Sequence, residues 1–171
     1  MLAGWWLVMA ALVPLSSVAH ANEQPALTTD RLLGTGQLLS GKAHYLEALD
    51  LLEEAKDMLE ASGRNDTATY AEVLYTLAET KIKARNLQDF PAHYVKAALQ
   101  DVQAANKLRE KLSDVLPQKL AEGYYLEGYI HKKFFMRKRE ACIYLKKAKT
   151  IDPGHVAAKR ELSELGCEAQ K

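Results

Sequence analysis

The residues of this sequence that could bind a metal or act as nucleophiles are few and widely spaced. None of its five histidines belongs to a His-x-x-x-His pair, the spacing that holds zinc on one helix face. The glycines at 34 and 36 have no predicted strand before them, as a phosphate-binding loop would require. The carboxylates of 47–60 recur at helical spacing, which is typical of a solvated face. We therefore expect no enzyme, no metal and no cofactor.

A basic run interleaved with aromatic residues, HKKFFMRKRE, is the strongest charged feature. Eight cationic residues and one acidic residue lie between Lys132 and Lys149, whereas 47–60 carries six acidic residues and one lysine. The net charge is only +1, so we expect no nucleic-acid partner. Two interpretations stay open. The turn 132–139 could contact an envelope lipid or glycan, or it could be a solvated turn whose Phe134 and Phe135 dip into the core.

The first 21 residues, MLAGWWLVMAALVPLSSVAHA, have the pattern of a secretory signal peptide. An apolar stretch is followed by Pro14 and two serines, and Ala19 and Ala21 stand at the positions that a signal peptidase inspects. We predict cleavage after Ala21 and an exported protein, periplasmic or secreted. The stretch before the apolar run has no lysine or arginine, so an uncleaved inner-membrane anchor is the alternative, although the apolar run is short for a span.

The remainder, 22–171, is rich in Ala, Leu, Glu and Lys, which favour helix, and it has no alternating strand pattern. We predict an all-α domain of three helix pairs and a C-terminal capping helix. The first helix is expected to begin at a cap among Thr28, Thr29 and Asp30, and the fourth to begin at Pro91. The pairs are predicted at 27–62, 67–115 and 117–151, and the capping helix at 153–166, opened by Asp152-Pro153 and ended by Gly166.

A small residue on one helix and a small–large–small stripe on the next recur three times along the chain. The sets are Gly36 with Ala48, Leu52 and Ala55; Ala78 with Ala98, Val102 and Ala105; and Gly128 with Ala141, Leu145 and Ala148. This pattern resembles the tetratricopeptide repeat (TPR) family, and the last unit also has the closing Pro153. The units are spaced by about 42 residues (Gly36 to Ala78) and about 50 (Ala78 to Gly128), longer than the family's 34. The resemblance implies a short solenoid of antiparallel helix pairs.

In TPR proteins the first helix of each pair lines a concave groove, so the resemblance implies which residues would meet a partner. They are Leu33, Gln37, Tyr75, Glu79, Tyr125, Tyr129, Lys132 and Lys133. It predicts an exported scaffold or adaptor that binds a protein or peptide segment, with a lysine pairing to a carboxylate of that segment. Ordinary packing of the tyrosines is the alternative.

The two cysteines, Cys142 and Cys167, lie on either side of Pro153. If the sixth and seventh helices fold back about this proline, the two cysteines come within about one helical turn of each other. We predict a disulfide that pins the capping helix, with two unpaired thiols as the alternative.

Overall fold

The structure is a computed structural model that describes residues 23–85 and 90–167, with side chains from Thr28 onward. The predicted signal peptide 1–21 and its cleavage site lie outside the described residues, as does 86–89 in the predicted turn of the middle pair. Over the described ranges the chain is helical and contains no strand, which confirms the all-α prediction. The helices are α1 (Glu23–Gly41), α2 (Tyr45–Ala61), α3 (Ala68–Arg85), α4 (His93–Arg109), α5 (Pro117–Lys133), α6 (Lys138–Ile151) and α7 (Val156–Leu165).

Each helix packs mainly on the next one in the chain, so α1–α2, α3–α4 and α5–α6 form pairs and α7 packs on α6. Successive pairs meet through α2 with α3 and through α4 with α5. Weaker contacts join α1 to α3 and α3 to α5, so the first helices of the three pairs lie side by side.

The first and third pairs share the same close approach of their helices. A Cβ built on Gly36 would lie 2.7 Å from Cγ of Leu52, and one on Gly128 would lie 2.8 Å from Cγ of Leu145. Both turns between the helices also contain a non-glycine residue with left-handed backbone, Ala43 (φ 65°) and Met136 (φ 55°). The small–large–small stripes therefore hold the paired helices together as the sequence predicts.

Three apolar clusters form the core, and each joins neighbouring helices. The α2–α3 cluster is Leu49, Leu52, Ala55, Leu59, Val73 and Leu77, with Leu33 of α1 packed against it. The α3–α4–α5 cluster is Ala78, Ile82, Val95, Ala98, Val102, Leu126 and Ile130. The α5–α6–α7 cluster is Tyr124, Ala141, Leu145, Ala148, Ala158, Leu162 and Cys167. Leu33, predicted at the groove, is thus partly used in packing.

Polar groups are also buried between helices. Lys81 of α3 is 7% exposed, and its Nζ lies 2.8 Å from a carboxylate oxygen of Glu53 on α2 and 2.7 Å from one of Asp101 on α4. Between α4 and α5, Gln103 and Asn106 both donate to the buried carboxylate of Glu127, at 2.9 and 3.1 Å. The α4–α5 contact therefore contains a buried polar cluster.

Three helices differ from the sequence predictions at their ends. Helix α1 begins at Glu23, ahead of the predicted caps, and Pro25 is tolerated in its first turn, where the missing N–H costs nothing. Helix α4 occupies His93–Arg109 and not 91–115. The buried Arg109 at its end donates to the carbonyl of Lys119 at 2.7 Å, and Pro117 holds Leu116 in extended backbone.

The third difference concerns the start of α7. Asp152 does not cap this helix: its carboxylate accepts from the N–H of Gly154 at 2.8 Å and closes a turn instead. The cap is His155, whose Nδ1 accepts from the N–H of Ala158 at 3.2 Å. The predicted stop at Gly166 is confirmed, since this residue has left-handed backbone (φ 64°).

A disulfide joins Cys142 of α6 to Cys167, just after α7, with 5.7 Å between the Cα atoms. This confirms the predicted pairing. Closing a loop of 25 residues stabilises the fold by about 3 kcal/mol in the chain-entropy estimate. The bond fixes the C-terminal end of α7 against α6.

Candidate functional site

A pocket of about 310 Å³ lies where α1, α3 and α5 meet. It is lined by Gln37, Ser40, Glu72, Tyr75, Thr76, Glu79 and Glu122. We call it the cleft. Three residues predicted to bind a partner, Gln37, Tyr75 and Glu79, are among its lining. Of the groove residues predicted for the first two pairs, the cleft therefore brings together Gln37, Tyr75 and Glu79 but not Leu33.

Hydrogen bonds hold the polar groups of the cleft in place. The side-chain amide of Gln37 donates to the hydroxyl of Thr76 at 3.4 Å and reaches a carboxylate oxygen of Glu72 at 3.5 Å. Glu79 pairs with Lys83, one turn further along α3, at 3.1 Å. The α1 and α3 walls are thus connected by side chains as well as by packing.

The aromatic ring of Tyr75 packs against the guanidinium of Arg109. The guanidinium carbon of Arg109 lies 4.6 Å from the centre of the Tyr75 ring, and the same guanidinium pairs with Glu72 at 2.9 Å. Burial raises the pKa of the Tyr75 hydroxyl, and the carboxylates of Glu79 and Glu122 raise it further. The hydroxyl is therefore protonated at neutral pH and can donate a hydrogen bond to a ligand.

Tyr125 and Tyr129 lie further along α5, in a more closely packed setting. The ring of Tyr125 lies 5.0 Å from the imidazole of His155 and packs against the α5–α6–α7 cluster. The ring of Tyr129 meets Phe134 edge-on at 6.3 Å and packs against the α3–α4–α5 cluster. Both tyrosines are half-buried, so each combines packing with a partly exposed surface.

Lys132 is not free at the end of the groove. Its ammonium pairs with the carboxylates of Glu161 and Glu164 on α7. Hydrogen bonds to these two groups raise the pKa of Lys132. This differs from the prediction that it could pair with a ligand carboxylate, because the sequence pattern alone did not bring α7 next to it. Lys133 is exposed, and its ammonium lies 5.9 Å from the Tyr129 ring.

Four residues of the cleft were missed by sequence reasoning: Ser40, Glu72, Thr76 and Glu122. Glu122 precedes Tyr125 by three residues and Tyr129 by seven, so helical spacing back from the tyrosines would have found it. Glu72 is likewise three residues before Tyr75. Helical spacing could not have predicted that Arg109 packs on Tyr75, because Arg109 reaches the cleft from the end of α4.

The aromatic residues of the basic turn 132–139 are partly buried in the core. Phe134 and Phe135 are half-buried against the α3–α4–α5 cluster, which agrees with the interpretation of a turn that dips inward. Met136, in contrast, is 82% exposed. The turn thus leaves no aromatic ring fully open to solvent.

Comparison with known proteins provides no relative. No model of a known protein family matches the sequence, and no significant match is found among curated proteins. Within the described ranges, no helix is both long and apolar enough to cross a bilayer. The same ranges hold no cluster of three His, Cys, Asp or Glu side chains that could bind a metal ion.

Proposed function

We propose that the protein is an exported TPR-like scaffold that binds a protein or peptide segment in the cleft, and that it acts by binding and not by catalysis. One observation carries the proposal: three helices from three successive pairs contribute to a single pocket of about 310 Å³. Small-molecule and peptide sites commonly form where such elements converge. The partner itself is unidentified.

The TPR-like assignment is supported by the packing that the first and third pairs share. In both, a glycine on the first helix meets a leucine of the second, flanked by buried alanines. Export is supported by the disulfide, since such bonds persist mainly in oxidising compartments, and by the signal-like pattern of 1–21. A periplasmic or secreted protein combines these features.

The chemistry of the cleft favours a polar, extended segment. Its walls offer the Tyr75 hydroxyl, the Gln37 amide and the carboxylates of Glu79 and Glu122. Glu122 is exposed and has no ion-pair partner within the described part of the chain. Its carboxylate can accept from a backbone N–H or from a lysine or arginine of the segment. Because Lys132 is paired within the fold, the expected pairing of a lysine with a ligand carboxylate is left to Lys133, and the acceptors of the cleft add a second kind of contact.

Site-directed photo-crosslinking in the native host tests this function. A photoreactive amino acid at Glu79 or at Glu122 should form a crosslink to a discrete protein partner. The matched control is the same amino acid at Lys96, an exposed position on α4 outside the cleft. Crosslinks from Lys96 to the same partner, with none from Glu79 or Glu122, would show that another surface binds it.

A second measurement separates binding from folding. Glu79→Ala together with Glu122→Ala removes a carboxylate whose side chain is 38% exposed and one that is exposed, and only the surface ion pair of Glu79 with Lys83 is lost, so the melting temperature should change little. The affinity for the crosslinked partner should fall by at least tenfold if both side chains bind it. Unchanged affinity would remove the cleft from the interface.

A further inference from the structure

A second hollow, of about 680 Å³, lies on the exposed side of α6 beside the disulfide. Lys138, Arg139 and Lys146 line it from α6, and Gly166 and Cys167 close it from the end of α7. Lys138 and Arg139 are adjacent and Lys146 lies about two turns further along α6, so all three line the same side of the helix. The disulfide sets the width of this hollow, because it joins the two walls.

The three cations of this hollow are not neutralised within the fold. All three are exposed, and none forms an ion pair with any residue that the structure describes. Other lysines of the chain differ: Lys132 pairs with two carboxylates of α7, and Lys81 with two carboxylates of α2 and α4. The first turn of α6 begins at Lys138 with no side-chain cap, so its N–H groups add positive potential, which Glu140 in the same turn offsets in part. The hollow is therefore an anion-attracting surface.

Exposed aliphatic side chains accompany these cations. Ile143 lies within the hollow and is 48% exposed, and Met136 is 82% exposed two residues before α6 begins. An anionic bilayer offers headgroup phosphates to the cations and an apolar boundary to the aliphatic groups. A single-stranded nucleic acid would instead be favoured by exposed aromatic rings for base stacking, whereas Phe134 and Phe135 are partly buried against the core.

We propose that Lys138, Arg139, Ile143 and Lys146, named here the α6 basic face, dock on the phosphate headgroups of an anionic membrane surface. The inference is independent of the cleft, since the two sites share no residue. It also moves the envelope contact predicted for the turn 132–139 onto the first two and a half turns of α6.

The test is binding of the full chain to vesicles. Affinity is measured for vesicles of roughly equal phosphatidylglycerol and phosphatidylcholine and for vesicles of phosphatidylcholine alone, so that any binding unrelated to charge is subtracted. We expect a triple variant, with Lys138→Ser, Arg139→Ser and Lys146→Ser in one chain, to lose its anionic preference, which is the ratio of its affinities for anionic and neutral vesicles. The loss should be on the order of a hundredfold, because each cation near the surface contributes about 1 kcal/mol. Ile143→Ser alone should lower the affinity severalfold.

A matched control removes the same charge elsewhere. Lys42→Ser, Lys96→Ser and Lys111→Ser replace three exposed lysines that have no ion pair in the described ranges and do not line the hollow. This control should retain most of the anionic preference. For the unmodified protein, about 0.5 M salt should release the vesicles, because the Debye length then falls below about 5 Å.

Three results would each overturn the proposal. The first is an equal loss of affinity in the two triple variants, which would mean that only net charge matters. The second is equal binding to anionic and neutral vesicles. The third is saturable binding of inorganic phosphate without any binding of vesicles, which would make the hollow a site for free phosphate and not for a membrane surface.

Discussion

The position of a Cβ on Gly128 lies 2.8 Å from Cγ of Leu145, so these two residues set how closely α5 approaches α6. The carbonyl oxygen of Ala141 would lie only 3.2 Å from the same Cβ, so the backbone of α6 also blocks a side chain there. We predict that Gly128→Ala lowers the free energy of unfolding by about 1–3 kcal/mol, as overpacking of a core does. Denaturant titration measures this change.

Gly34→Ala is the matched control for this prediction. Gly34 lies in the same type of helix, but a Cβ there would meet nothing within 4 Å. The alanine should therefore stabilise the protein by about 0.5–1 kcal/mol through its better helix propensity. If Gly128→Ala and Gly34→Ala changed the free energy of unfolding in the same direction, the close approach of α5 and α6 would be contradicted.

Removal of the buried ammonium of Lys81 should be costly. Lys81→Met leaves the carboxylate of Asp101, whose side chain is 17% exposed, without its ion pair. We expect a loss of about 2–4 kcal/mol in the free energy of unfolding. Asp101→Asn in the same chain should restore part of this loss, and strictly additive effects of the two changes would mean that the pair is not coupled.

Loss of the disulfide should weaken the attachment of α7. Cys142→Ser with Cys167→Ser is expected to lower the free energy of unfolding by about 2–4 kcal/mol. Mass spectrometry of a non-reduced digest of the exported protein should also yield the two linked peptides. If both cysteines react with an alkylating reagent before reduction, the bond is absent from the exported protein.

His131 should make stability depend on pH. This residue is 4% exposed, and its Nδ1 has no hydrogen-bond partner among the described residues. Burial lowers the pKa of the imidazole, although Glu127 and Glu140 act in the opposite direction. The unfolded chain then binds a proton that the folded chain does not, so stability decreases as the pH falls below about 6.5.

The size of this effect has an upper bound. One pH unit below the pKa of the unfolded state, His131 costs at most about 1.4 kcal/mol. His131→Gln should make the acid side of the stability–pH curve shallower, whereas His93→Gln, at an exposed position of α4, should leave it unchanged. Thermal melts across about pH 5 to 8 compare the three proteins. Parallel curves for all three would rule out this role of His131.

The sequence was sufficient where local rules decide the structure. The bounds of α2 and α5 follow from their turn residues and from Pro117, and the Cys142–Cys167 pairing follows from the fold-back of α6 and α7. The three stripes of small and large residues identified buried positions, because each stripe lies on a single helix face. These features depend on residues that are close in sequence or on one reversal of the chain.

The sequence was insufficient where distant side chains compete. Arg109 donates to the carbonyl of Lys119 and also packs on the ring of Tyr75, and neither contact is encoded near residue 109. Lys132 forms ion pairs with α7, and these pairs cannot be predicted without knowing where the last helix packs. The sequence therefore pointed to three residues of the cleft, Gln37, Tyr75 and Glu79, but not to the other residues and charges available to a ligand within it.

The polar contact between α4 and α5 has a consequence for how molecules of this protein meet one another. Apolar faces of helix pairs are interchangeable, so a pair from one molecule could dock on the open face of another. At this junction, Gln103 and Asn106 must each find the carboxylate of Glu127 when water is excluded. A foreign apolar face would leave that buried charge without its two donors from α4, which is costly. The junction thus disfavours the exchange of helix pairs between chains.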